Sequence, residues 1–216
     1  MNDRHPDQPP PARPTPTRRA VLLGAGAVLV VGLGGAAVSA GNALPGQRAA
    51  LRKGTVDQSS AQWIAASAAN YRYADRPDDY TIDRIVIHVT QSHFTATARA
   101  FQDSRHRAAA HYLVRASDGH IAQLVREADM VYHAGNREWN ERSIGIEHEG
   151  FVDAPDRWFT DAAYRASAEL AADISARYGI PIDRERIVGH NEVPGATHTD
   201  PGPHWDRYLR LVRAAR

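Results

Sequence analysis

The sequence predicts an α/β domain in which a mixed central β-sheet is flanked by helices on both faces. Short runs of β-branched residues, such as 85–90, alternate along the chain with longer amphipathic segments, of which 160–178 is the longest. Asp118 and Gly119 lie between two further strand candidates, and this dipeptide is typical of a β-hairpin turn. Because strands and helices interleave, we expect one sheet and a single domain after an N-terminal export signal.

The first half of the domain is expected to begin near Gln62 and to contain one helix. β-branched residues predict the first core strand at 85–90. The spacing of Phe94, Ala98 and Phe101 puts three apolar side chains on one helical face and predicts a helix over 95–105. The other elements expected here are a loop with aromatic anchors at 70–77, hairpin strands at 110–115 and 120–125, and a short extended piece at 130–132.

The second half is expected to contain the longest helix. Thr160 is suited to cap the start of a helix at 160–178, and Gly179 is typical of the residue that ends one. The other elements predicted here are a strand at 143–149, a short strand at 187–190 and a closing helix at 205–213.

The composition is that of a soluble globular protein, with 24% charged and 43% hydrophobic residues. The formal net charge is +1, and four arginines against two aspartates in the first forty residues contribute +2, which leaves −1 for the rest. A global basic field is therefore absent, and no nucleic-acid partner is expected. Cysteine is also absent, which excludes disulfides and thiolate metal sites.

The amino-terminal part is expected to direct export. Residues 1–17 are rich in proline and predict a disordered leader. Adjacent arginines followed by an uncharged apolar run are typical of a twin-arginine signal segment, here at 18–40, which implies the twin-arginine export machinery as a partner. We expect cleavage after Ala40, with an uncleaved signal anchor as the alternative, because about twenty apolar residues span a bilayer. A spacer at 41–61 then precedes the domain at 62–213, which is expected to be extracellular or cell-wall associated.

A loop rich in glycine and proline presents the side chains best suited to bind a metal. This loop, at 189–206, contains His190, His198 and Asp200 among residues that exclude regular structure. Mixed nitrogen and oxygen ligands favour Zn²⁺, and a catalytic zinc needs three protein ligands. The loop supplies only part of such a set, and His88 in the first core strand is the best further candidate. A lone histidine in a β-branched strand is more often a core residue, but its pairing with the loop favours ligation.

Glu147 is the candidate catalytic residue outside the metal set. In the strand at 143–149, alternation puts Ile144 and Ile146 on one face and Glu147 on the other. A carboxylate beside a metal-activated water takes the proton of the water and returns it to a leaving amine, without itself binding the metal. For Glu149, on the same face, a solvated position and a structural one are both open.

Five segments follow one another in an order that is typical of a known enzyme family. They are the strand with His88, the hairpin at 110–125, and the segments 132–136, 143–147 and 189–202. Across 63–211 the chain therefore resembles the zinc-dependent N-acetylmuramoyl-L-alanine amidases, the type-2 amidases related to peptidoglycan recognition proteins and phage amidase lysozymes. Each segment alone would be a weak signal, whereas the combination is specific.

The resemblance implies a hydrolase that acts on peptidoglycan or muropeptides, and we expect the protein to be a monomer. It implies a zinc ion held by His88, His190 and Asp200, with Glu147 as catalytic base. The bond cleaved would be the amide between the lactyl group of N-acetylmuramic acid and the L-alanine of the stem peptide. His133 is similar to a histidine that lines the substrate groove in the family.

His198 marks a departure from the family pattern. Several members have a lysine two residues before the carboxylate ligand, where it stabilises the developing oxyanion. His198 stands at that position and is expected to act in the same way, because an imidazole also donates a hydrogen bond. The alternative is that His198 replaces Asp200 as the third metal ligand.

A non-catalytic module that binds peptidoglycan or muropeptides is the alternative function. Family members that lack the ligand set recognise the substrate without cutting it. Here all four expected residues are present, which favours an enzyme.

Overall fold

The computed structural model describes residues 56–200 and 204–216. The leader predicted at 1–17 and the signal segment predicted at 18–40 lie outside these residues, as does most of the spacer predicted at 41–61. Within the described ranges, no helix has both the length and the apolar character needed to cross a bilayer.

A six-stranded mixed sheet forms the centre of the domain, as the sequence predicts. The strands of the described chain, of which β2 and β6 lie outside this sheet, are β1 (Gln62–Trp63), β2 (Tyr71–Arg72), β3 (Arg84–Val89), β4 (Tyr112–Val114), β5 (Ile121–Gln123), β6 (Met130–Val131), β7 (Ser143–His148) and β8 (Ile187–Gly189). The order in the central sheet is β1-β5-β4-β7-β3-β8. Strands β4, β7, β3 and β8 are parallel neighbours, and β5 pairs antiparallel with β4 as the predicted hairpin.

Four of the five α-helices of the described chain lie between these strands, and the fifth follows β8. They are α1 (Phe94–Gln102), α2 (Arg137–Arg142), α3 (Pro155–Trp158), α4 (Asp161–Tyr178) and α5 (Trp205–Ala214). The helices predicted at 95–105, 160–178 and 205–213 are confirmed, with ends that differ by up to three residues. The sequence does not predict α2 or α3, because each is too short for an apolar period to show.

The prediction of a loop at 70–77 is wrong in part. Tyr71 and Arg72 form β2, which pairs antiparallel with β6 in a separate two-stranded sheet. A strand of two residues has no alternation that the sequence could reveal, and its pairing partner lies far along the chain.

Helices cover both faces of the sheet, as expected. Isoleucines of β3 and β7 at positions 85, 87, 144 and 146 are buried in one cluster with side chains of α4 and α5. On the opposite face, Phe94, Ala98 and Phe101 of α1 pack in a cluster with Leu113 of β4. The predicted apolar face of α1 is therefore confirmed, and the sheet is the middle layer of the fold.

Glu149 occupies a structural position, and this decides between the two interpretations left open for it. Its carboxylate accepts hydrogen bonds from the backbone N–H groups of Phe94 and Ala116, each at 2.9 Å. The carboxylate thereby fastens the first turn of α1 to the chain that enters the hairpin turn.

The described chain contacts the domain before Gln62. The carboxylate of Asp57 accepts hydrogen bonds from Arg126 Nη2 at 2.6 Å and from the backbone N–H of Glu127 at 2.9 Å. The last residues of the segment 41–61 therefore pack against the domain expected at 62–213.

Thr160 anchors the longest helix to the hairpin. Its Oγ1 accepts a hydrogen bond from Ala163 N at 3.1 Å, as the predicted N-cap, and donates to the carbonyl of Ala116. Gly119 in the hairpin turn has a φ of +72°, and a Cβ there would lie 2.6 Å from the carbonyl oxygen of Ala162. The turn therefore needs glycine both for its backbone conformation and for its close contact with α4.

The Thr160→Ala variant is expected to lose about 1 to 2 kcal/mol of unfolding free energy, because both hydrogen bonds of the hydroxyl are removed. Urea denaturation measures this loss. Thr160→Ser keeps the hydroxyl and is the matched control, with an expected loss below half of that in the alanine variant. Equal losses in the two variants would contradict the capping role.

Candidate active site

Three parallel strands bring the predicted site residues to one edge of the sheet. His88 in β3 lies directly opposite Glu147 in β7. On the other side of β3, β8 ends at Gly189, and His190 begins a 3₁₀ turn over His190–Glu192. The carboxyl ends of parallel strands meet at the same edge of a sheet, and this is where such folds place their ligands.

Hydrogen bonds within the turn after β8, and from it to Asp200, fix the chain at this edge. Glu192 Oε2 accepts a hydrogen bond from Gly189 N at 2.7 Å. Asn191 N donates to the backbone carbonyl of Asp200 at 2.9 Å, and Val89 N donates to Asp200 Oδ2 at 3.2 Å. The backbone and the carboxylate of Asp200 are therefore both tied to the strand ends that carry the two histidines.

His88, His190 and Asp200 form a buried group that fits a metal ion. One potential ligand atom from each lies within 4.8 Å of the others. Asp200 Oδ2 lies 3.7 Å from His88 Nδ1, and Asp200 Oδ1 lies 3.6 Å from His190 Nδ1. Two ligands of a tetrahedral zinc, with bonds of about 2.0 to 2.1 Å, are separated by roughly 3.3 Å. The observed spacings are close to that separation.

Within the described chain, the site also contains two unsatisfied polar atoms, and that of His190 is the ring nitrogen opposite the Nδ1 that faces Asp200. Among the described residues, His190 Nε2 and Glu147 Oε2 are buried without a hydrogen-bond partner. A buried polar atom without a partner is costly, and such atoms occur where a ligand or ion is bound. Burial acts to raise the pKa of Asp200, but the nearby imidazoles of His190 and His88 outweigh it, and the pKa lies below its ordinary value.

Glu147 lies beside this group without belonging to it. Burial, followed by the negative charge of Asp200, raises the pKa of the Glu147 carboxyl well above its ordinary value. A carboxyl group with a raised pKa is suited to accept a proton and to hold it during a reaction.

His198 lies at the rim. Its side chain is 63% exposed, and its Nδ1 is 3.9 Å from Asp200 Oδ1. The ring stacks on that of His190, with the centroids 4.4 Å apart and an angle of 18° between the planes. His198 therefore contacts the buried group from the solvent side.

His133 lies behind His88. Its Nδ1 is 2.9 Å from His88 Nε2, and its Nε2 is 3.1 Å from Ser143 Oγ. The sequence predicts a place in the substrate groove. The ring does line the cavity, but both of its nitrogens have protein partners.

All six predicted site residues line one cavity of about 470 Å³. They are His88, His133, Glu147, His190, His198 and Asp200. A volume of this size is in the range of small-molecule sites.

Two residues at this cavity have no signal in the sequence. Gln91 and Arg107 line it with left-handed backbone, at φ of 49° and 62° respectively. Arg107 N donates to Asn70 Oδ1 at 2.9 Å, which holds that conformation. Such backbone conformations in residues other than glycine are uncommon and cluster at functional sites. They follow from tertiary contacts, so the sequence does not reveal them.

Comparisons with known proteins agree with this geometry. The sequence is 32% identical over 176 residues to N-acetylmuramoyl-L-alanine amidase A of Achromobacter lyticus, covering 73% of this chain and 96% of that protein. It is 37% identical over 115 residues to the 1,6-anhydro-N-acetylmuramyl-L-alanine amidase AmpD of Haemophilus influenzae, covering 50% of this chain and 60% of that protein.

The fold is also similar to that of a solved amidase. A crystal structure of a selenomethionine derivative of AmpD superposes with a TM-score of 0.60 and 27% sequence identity, covering 73% of this chain and 99% of that one. A family described as N-acetylmuramoyl-L-alanine amidase matches residues 78–203, more than half of the chain. This protein therefore belongs to the N-acetylmuramoyl-L-alanine amidase family.

Proposed function

We propose that this enzyme uses zinc to hydrolyse the amide between the lactyl group of N-acetylmuramic acid and the L-alanine of a peptidoglycan stem peptide. The observation that carries the proposal is the buried group of His88, His190 and Asp200 with Glu147 beside it, at the end of parallel strands. The names of the relatives agree, since they are amidases of muramoyl or anhydromuramoyl L-alanine substrates.

His88, His190 and Asp200 are the residues that would hold the zinc. When bound, zinc supplies an acidified water and polarises the scissile carbonyl. Asp200 adds a negative charge to the two imidazole rings, which makes the group attractive to a divalent cation. The cation would in turn compensate two carboxylates, Asp200 and Glu147, that raise each other's energy when both are ionised in a buried site.

Glu147 moves the proton in the proposed reaction. It takes a proton from the attacking water as the carbon–oxygen bond forms at the lactyl carbonyl. It then gives this proton to the nitrogen of L-alanine as the carbon–nitrogen bond breaks, so that the amine leaves neutral. The raised pKa of Glu147 favours the protonated form between these two transfers.

His198 would stabilise the oxyanion in this reaction. It is on the exposed side of the metal group, where a substrate enters, and it is outside the set of three buried ligands. An imidazole N–H at this position donates to the carbonyl oxygen as negative charge develops there. Its exposure favours this role over that of third ligand.

We also propose that the enzyme is exported from the cytoplasm. The segment 18–40 is interpreted as a twin-arginine signal that is cleaved after Ala40, with a signal anchor as the alternative. The enzyme would then act as a monomer on peptidoglycan outside the cytoplasm. The rival function, a non-catalytic peptidoglycan-binding module, has less support because the ligand group and Glu147 are all present.

Glu147→Gln is the experiment that tests the proposal. We expect turnover to fall by about 10²- to 10⁴-fold, because proton transfer is lost, while bound zinc is unchanged. Mass spectrometry of a muramoyl peptide measures the release of a stem peptide with a free L-alanine amine, and elemental analysis measures zinc. Glu169→Gln, at an exposed position on α4, is the control for loss of one carboxylate charge. Loss of zinc together with activity would make Glu147 a ligand or a structural residue, and the proposed role would be wrong.

His198→Ala is expected to lower kcat by about 10²- to 10³-fold and to keep zinc at one equivalent, because a donor to the oxyanion is removed. His120→Ala, which removes a half-buried imidazole from the hairpin outside this cavity, should keep both values. A variant at His198 that no longer binds zinc would transfer the third ligand position from Asp200 to His198.

A further inference from the structure

We propose that Ser143 and His133 form a hydrogen-bond relay that fixes the tautomer of His88, so that its Nδ1 is the nitrogen available to the metal. The inference rests on the proposed zinc function. It makes His133 and Ser143 positioning residues, in place of the substrate contact that the sequence predicts for His133.

The relay begins at a backbone carbonyl. Ser143 Oγ lies 2.5 Å from the carbonyl oxygen of Trp139, which can only accept a hydrogen bond. The single hydroxyl proton of Ser143 is therefore committed to that carbonyl. Ser143 Oγ also lies 3.1 Å from His133 Nε2, and in this second hydrogen bond it can only accept. The proton of this second hydrogen bond must then be on His133 Nε2.

The proton on Nε2 determines the rest of the chain. A neutral imidazole has a single N–H group, which in His133 is the one at Nε2, and the contact between His133 Nδ1 and His88 Nε2 needs one donor and one acceptor. His133 Nδ1 is therefore a lone pair, and it accepts from His88 Nε2 at 2.9 Å. The proton of His88 is on Nε2, and the lone pair of its Nδ1 faces Asp200 Oδ2 at 3.7 Å.

The relay opposes a competing arrangement. Asp200 is a carboxylate that would favour a proton on His88 Nδ1, because an N–H group at that position would point towards its oxygen. That tautomer has no lone pair for a metal. His190 has no such relay, since its Nε2 is buried without a partner among the described residues.

The backbone around His133 is built for this geometry. A Cβ on residue 145 would lie 2.7 Å from His133 Nδ1, so Gly145 in β7 leaves the space that the ring occupies. Asn140 Oδ1 in α2 accepts from the backbone N–H groups of His133 and Ala134, at 3.1 and 2.8 Å. The ring is therefore held on two rigid elements, which also carry Trp139 and Ser143.

Zinc affinity of the full chain tests the relay. We expect Ser143→Ala to raise the zinc Kd by about 10- to 100-fold, the usual effect of disturbing the partner behind a metal-binding histidine, because His133 Nε2 loses its acceptor. Competition with a chelator of known affinity measures this Kd. Ser175→Ala is the matched control, because Ser175 is also buried, lies in α4 and has a hydroxyl without a partner among the described residues. Its Kd should be unchanged.

Two variants at His133 distinguish the effect of its hydrogen-bond acceptor, Nδ1, from the effect of its aromatic ring. His133→Asn places a carbonyl oxygen where Nδ1 lies and should keep a Kd within a few-fold of the original protein. His133→Phe keeps the ring and removes the acceptor, and it should weaken zinc binding as much as Ser143→Ala. An unchanged Kd in both Ser143→Ala and His133→Phe would overturn the relay.

The tautomer itself is measured without any substitution. In the metal-free protein at neutral pH, ¹⁵N NMR of the imidazoles should show His88 protonated at Nε2 alone. A proton on His88 Nδ1 would overturn the relay whatever the variants show. A protein that binds no zinc but has this tautomer would contradict the proposed function and leave the relay correct, so the two failures are distinguishable.

Discussion

The fixed register of β3 between β7 and β8 is the constraint on which the rest of the structure depends. It places His88 opposite Glu147 and lets β8 deliver His190 to the same edge. Because side chains alternate between the faces of a strand, a slip of one residue would move His88 into the apolar layer under α4. The isoleucines of β3 and β7 prevent such a slip, since they are completely or almost completely buried on the other face. The core and the site therefore specify each other.

The site brings several buried polar side chains together. His88, His133 and His190 are buried together with the carboxylate of Asp200. A hydrogen bond from Val89 N to Asp200 and the hydrogen bond between His88 and His133 satisfy part of this group. Among the described residues, two atoms of the site, His190 Nε2 and Glu147 Oε2, stay without a hydrogen-bond partner. Glu147 Oε2 is the one of these two atoms that the proposed proton transfer uses.

The sequence predicts those elements whose apolar pattern is long enough to be read. The strand with His88, the hairpin and helix α4 are confirmed. The six predicted site residues line one cavity of the structure. Helix α2 and the ribbon of β2 with β6 are too short to show a period, yet α2 holds the chain that carries His133. The hydrogen bonds that join His133 to Ser143 and His88 depend on the orientation of the ring in three dimensions. The sequence cannot show this orientation, and it therefore predicts that His133 contacts the substrate.

The most direct measurement is X-ray diffraction at the zinc absorption edge, on crystals of the full chain grown with zinc. The structure predicts one anomalous peak within bonding distance of His88 Nδ1, His190 and Asp200, with Glu147 nearby but not bound. A peak elsewhere, or one bound by His198 in place of Asp200, would contradict the proposed centre. Since the three ligands come from β3 and from the chain that follows β8, this result also tests whether the sheet edge is the active site.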